Sequence, residues 1–123
     1  MTTILVVDDD VRERESMVAA LAGADYQVVQ AESATGAVRL AIRFLPRLVV
    51  MKLSLPDFDG REAARAIRSV AGLTTVPIIA VGRESDALPQ QGHEAFGAAA
   101  VLAKPVEQGE LLDAVSRCLR VAV

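Results

Sequence analysis

Apolar residues fall into short unbroken runs along this chain: ILVV at 4–7, LVVM at 48–51, VPIIAV at 76–81 and AAVLA at 99–103. Runs of this length, each closed by charged or turn-forming residues, predict strands buried on both faces. A further strand is expected at 26–31, around Val28 and Val29. Between these runs the apolar period changes to that of a helix. Met17, Val18 and Leu21 form one inner face, Ala63, Ala64, Ile67 and Val70 another, and Leu111, Leu112, Val115 and Leu119 the last. Ala34, Ala37, Val38, Ala41, Ile42 and Leu45 fall at i, i+3, i+4, i+7, i+8 and i+11, the spacing of a single buried face. Five strands alternating with helices imply one α/β domain over 1–123, with a parallel sheet, right-handed crossovers and helices on both sides.

Polar residues mark where the helices begin and stop. Asp10 with Glu13, and Asp59 with Glu62, each make a D-x-x-E start, and Ser33 caps the helix between them. Gly23 closes the first helix and Pro46 ends the second. Arg39 and Arg43 lie off the apolar stripe and read as a solvated face, with a partner-binding patch as the alternative. The pattern breaks in 83–96, where another helix is due, because Pro89 and Gly92 interrupt it. An interior proline costs a helix ~3 kcal/mol and a glycine ~1 kcal/mol, so 83–91 is expected to be irregular and the helix shortened toward 90–96.

Composition removes several classes of function. With 123 residues, 52% of them hydrophobic, the chain can bury one sizeable core. Its net charge is −3, its eleven arginines and two lysines are scattered among sixteen acids, and direct nucleic-acid binding is not expected. Cys118 is the only cysteine, which excludes an internal disulfide and reads as a buried small residue. His93, the only histidine, has no second metal ligand near it and reads as exposed and inert. No leader pattern and no apolar run of ~18 residues is present, so a soluble cytoplasmic protein without a membrane partner is expected.

The candidate chemistry gathers at the carboxyl ends of the strands, where open α/β sheets hold their ligands. Asp8 and Asp9 follow the first strand, Lys52 ends the third and Lys104 the fifth. The first turn has no glycine-rich phosphate loop, and paired acids there suit a hard cation or a lysine instead. With ILVVDDD at the start, PRLVVMKLSLPDFDG in the middle, VPIIAV later and the glycine, alanine and Lys-Pro pattern of 97–105, the chain resembles over its whole length the receiver domain of bacterial response regulators.

That resemblance implies a flavodoxin-like (CheY-like), doubly wound five-stranded parallel sheet of order 2-1-3-4-5. It implies that Asp8 and Asp9 match the pair that holds Mg²⁺ in the family, that Lys104 matches the lysine contacting the phosphoryl group, and that Ser54 offers its carbonyl to the metal. Pro56 and Gly60 match the following loop, and the Lys104-Pro105 bond is expected to be cis. The phosphate-accepting aspartate of the family falls on Lys52, its phosphate-sensing hydroxyl on Gly82, and its swinging aromatic on Val101. An amine cannot form an acyl phosphate, and Lys52 is expected to pair with Asp8 or Asp9, leaving two carboxylates against two ammonium groups with no metal and no cofactor.

The expected function is therefore a phosphorylation-independent receiver-like module, not an enzyme, that binds another signalling protein or serves an output domain of a longer chain. A homodimer through the helix due in 83–96, the fifth strand and the last helix is a further expectation taken from the family. One alternative is phosphorylation at Asp57 or Ser54. Another, of a different class, is a small flavin-binding or hydrolytic domain on the same architecture, against which stand the acidic first loop and the lack of a Ser, His or Cys set.

Overall fold

A computed structural model describes residues 1–57, 59–82 and 98–121. In chain order the elements are β1 (Thr3–Val7), α1 (Val11–Gly23), β2 (Gln27–Ala31), α2 (Ala34–Phe44), β3 (Leu48–Lys52), α3 (Gly60–Arg68), β4 (Ile78–Gly82), β5 (Ala100–Ala103) and a last helix, α4 (Gln108–Val121). The strands form one parallel sheet in the order β2-β1-β3-β4-β5. The expected break around Pro89 and Gly92, and His93 with it, lies outside the described residues.

Alternation along the central strands supplies two cores. Leu5, Val7, Val49, Met51, Ile78 and Ala80 face α2 and α3, while Ile4, Val6, Leu48, Val50, Ile79 and Val81 face α1 and α4. A strand covered on both sides has no solvent face to fill with polar residues, which is why these segments read as unbroken apolar runs. Cys118 is buried in the second core, and burial raises its thiol pKa.

Helix starts follow the expected caps. The Asp10 carboxylate accepts from Glu13 N at 2.9 Å, Ser33 Oγ from Gly36 N at 3.1 Å, and the Asp59 carboxylate from Arg61 N at 2.8 Å. The single-face reading of α2 needs correction. Its buried residues are Ala34, Ala37 and Ala41, whereas Ile42 is 58% and Leu45 50% exposed. An apolar stripe six residues long subtends more of the helix surface than the sheet can cover, and the small alanines are the part that packs closest. Leu45 also ends α2 in the left-handed region, with φ of 46°, so it has left the helical path that the periodicity assumes.

Candidate functional site

Register brings the charged residues together. β1 lies between β2 and β3, and β3 next to β4, so Asp8, Asp9 and Lys52 emerge side by side, with Lys104 arriving from the end of β5. Lys104 is held there by its own backbone, whose N–H donates to Gly82 O at 2.8 Å. The Lys104-Pro105 peptide bond is cis.

Two ion pairs of different depth fill the cluster. Lys104 Nζ stands 2.6 Å from Asp8 Oδ2 and also contacts Glu13 Oε2, and the Lys104 and Asp8 side chains are 2% and 0% exposed. Asp8 Oδ1 accepts from Asp10 N at 2.9 Å, and Asp8 O accepts from the Arg14 guanidinium at 2.8 Å. Lys52 Nζ lies 2.7 Å from Asp9 Oδ1, nearer the surface, with side chains 17% and 37% exposed. Burial on its own works to lower the Lys52 pKa, but the hydrogen bond to Asp9 and the charges of Asp9, Asp8 and Glu13 outweigh it and raise the pKa. Asp10 is drawn below the usual carboxylate range, chiefly by the Glu13 N–H it caps.

Glu13 is the site residue that sequence reasoning missed. The D-x-x-E pattern gives it only the fourth place of a capping box, yet its carboxylate reaches Lys104, 91 positions away. The pocket thus holds three carboxylates facing two ammonium groups, not two against two. The signal available was position: Glu13 lies in the first turn of α1, on a helix that starts directly from the acidic strand end.

The residues expected around the acceptor position are placed as follows. Ser54 is exposed and bridges to Asp59 in a short antiparallel pairing. Gly60 N donates to Leu53 O at 2.8 Å, and a Cβ at Gly60 would lie 2.7 Å from that oxygen, so the turn after β3 closes only on glycine. Gly82 is buried opposite Ala103, and Val101 is half-buried against the core on the α2 and α3 side. Asp57 does not face the lysines. Its Oδ1 accepts from Ala34 N at 2.9 Å, and its Oδ2 accepts from Thr35 N at 2.9 Å and Thr35 Oγ1 at 2.8 Å. Those bonds, with the Thr35 and Ala34 N–H groups foremost, hold its pKa at about 2.

The chemistry of this donor set does not suit a divalent cation. Asp8 has both oxygens engaged, Asp9 is paired with Lys52, and an incoming ion would have to displace one lysine and sit beside the other. Among the described residues no group of three or more Asp, Glu, His or Cys is arranged to hold a metal.

A doubly wound sheet of this order, with acids after β1 and a lysine after β5 at its carboxyl edge, defines a receiver-type signalling domain. The chain belongs to the response regulator receiver domain family, whose model matches residues 4–116. It is similar to the protein PilH of Pseudomonas aeruginosa, with 30% identity over 119 residues that cover 97% of this chain and 98% of PilH. It is 29% identical over 120 residues to the transcriptional regulatory protein KdpE of Mycobacterium tuberculosis, and spans about half (52%) of that regulator's length. Among solved structures, a response regulator from Chloroflexus aurantiacus superimposes with a TM-score of 0.89 at 31% identity, over 97% of this chain and 98% of that one. The chain is thus a module of two-component signalling rather than a classical enzyme. No helix among the described residues is long and apolar enough to cross a membrane.

Proposed function

We propose that this chain is a receiver domain that works without phosphorylation, as a protein-binding module in a two-component signalling pathway. The observation that carries the reading is the double ion pair, Lys52 on Asp9 and Lys104 on Asp8 and Glu13. Where the family places a carboxylate that accepts phosphate, this chain places an amine whose positive charge is already matched by its acidic neighbour. Gly82 and Val101 support the same reading, since neither a hydroxyl nor a large ring is available there to respond to a bound phosphoryl group.

Phosphorylation at Asp57 finds no support in the geometry. Both of its oxygens are held by the first turn of α2, and an acyl phosphate on either one would break those bonds and set a dianion where Thr35 now donates. In-line transfer also requires the acceptor to stand beside the lysine that stabilises the leaving charge.

Incubation with Mg²⁺ and either acetyl phosphate or beryllofluoride is expected to change neither the intact mass nor the amide spectrum. An acid-labile adduct on any residue overturns the proposal, and its position identifies the acceptor.

A further inference from the structure

The side chains that the α2 periodicity misplaced, Ile42 and Leu45, lie on the helix that forms one wall of a groove. Between α2 and α3 runs an open apolar cavity of about 310 Å³, floored by Ala34, Val38, Ala63 and Ala66 and edged by Arg39 and Glu62. Ile42 stands one turn beyond Val38 on the same side of α2 and is 58% exposed, so it adds an apolar side chain to the helix surface next to the cavity instead of entering the core. Leu45 follows at the helix end, half exposed, with a methyl group 3.9 Å from the place a Cβ on Gly72 would occupy in the turn after α3. From Ala34 to Ile42 this side of α2 spans roughly 12 Å, about two helical turns.

Charge is distributed unevenly about it. The two helices that form it, 34–44 and 60–68, carry five basic side chains and one acidic side chain, a net of +4. Arg39 and Arg43 flank Ile42 on the solvent side of α2, and Arg65 lies on the outer face of α3. None of these three forms an ion pair with another described residue, and the Arg43 guanidinium is 5.3 Å above the Phe44 ring. Glu62 lies at the rim, and the Asp57 carboxylate, held by the N–H groups of Ala34 and Thr35, stands at the start of α2.

We infer that the α2–α3 groove is a docking site for an acidic amphipathic helix of a partner protein. An alanine floor lets a third helix approach to the ~8–10 Å spacing of packed helices, with its apolar ridge seated against Val38, Ile42 and Leu45. Carboxylates on the flanks of that helix meet Arg39, Arg43 and Arg65, which also steer its approach and reject basic partners. The inference rests on the reading of the chain as a protein-binding module, and it gives that module a surface and a partner chemistry.

The probe is a synthetic helical peptide with leucines at i, i+4 and i+7, alanine spacers and glutamates on the flanks, together with a counterpart carrying lysine for glutamate. Titrated into the ¹⁵N-labelled chain, the glutamate peptide is expected to cause saturable amide shifts confined to α2 and α3. Affinity is expected to fall at least about tenfold in Ile42→Gln and in Arg39→Glu, and the lysine peptide to bind at least about tenfold more weakly than the glutamate one. Both substituted side chains are exposed, and thermal melts check that the variants remain folded. Absence of shifts, shifts centred on α1 or α4, or equal binding of the two peptides overturns the assignment. A dimer of the chain alone, seen by sedimentation and dissolved by Ile42→Gln, overturns it in favour of a second copy. The peptide titration is independent of the phosphoryl-analogue experiment, so a failure of either reading shows separately.

Discussion

Lys104 and Lys52 carry the same charge in the same pocket, yet their depth makes them unequal. Truncating Lys104 to methionine strands the Asp8 carboxylate at 0% exposure, with one backbone N–H and no cation on it. Removing one partner of a buried pair in this way costs ~3–5 kcal/mol. Lys52→Met instead frees Asp9, already 37% exposed, to take up water, and such pairs contribute ~0–1 kcal/mol. Urea unfolding of the two variants at neutral pH checks this, and equal losses would contradict the distinction. Because the folded pKa of Lys52 is raised above its ordinary 10.5, the stability it contributes is complete below that value and is lost only as pH rises through the folded one. At this scale the odd lysine and the acidic pair were legible, since a charge ending an apolar run is visible locally. The reach of Glu13 to Lys104 was not, because it depends on the sheet bringing distant segments together.

Helix α2 shows what periodicity can and cannot say about an element. Its start, its caps and its alanine face follow from spacing, but spacing alone does not tell which edge of a wide apolar stripe the sheet will leave uncovered. Nor does it tell that a carboxylate 22 and 23 residues away will complete the cap. Ser33 holds the third N–H of the helix, while Asp57, from the loop after β3, holds the first two and pins that loop onto α2. The Asp57 pKa, lowered from 3.8 to about 2, makes its contribution present in full above the unfolded value and lost as pH falls through the folded one. Asp57→Asn is expected to lower the urea midpoint at pH 7, and the gap from the parent chain is expected to narrow between pH 4 and pH 2. A gap independent of pH would show that the carboxylate charge is not what matters. Gly60→Ala acts on the other end of the same loop. Its Cβ would lie 2.7 Å from Leu53 O and 2.9 Å from Leu53 Cα, both backbone atoms that cannot swing aside. A loss of ~1–3 kcal/mol is expected, with amide shifts reaching α2 through Asp57, and an unchanged melting curve would refute the steric account.

For the whole molecule, the question is whether the pocket can still address a distant surface. Lys52→Asp removes the internal cation from Asp9 and returns the cluster to acids around a single lysine, Lys104, so Mg²⁺ affinity is expected to appear in this variant, with beryllofluoride binding to follow. Transmission is a separate requirement. A ligand shifts a conformational equilibrium only by its differential affinity for the two states, however tightly it binds either one. Gly82 has no side chain to follow a new anion, and Val101 is packed against the α2 and α3 core with no ring to rotate toward the pocket. The loaded variant is therefore expected to show amide shifts at residues 8–10 and 52–60 and at Lys104, with β5 and α4 unmoved. Calorimetry measures the first expectation, and comparison of amide spectra with and without Mg²⁺ and beryllofluoride measures the second. Displacements spreading along α4 would mean that a relay other than a hydroxyl and a ring connects the two, and the domain would then have to be regarded as a switch held in one position by Lys52.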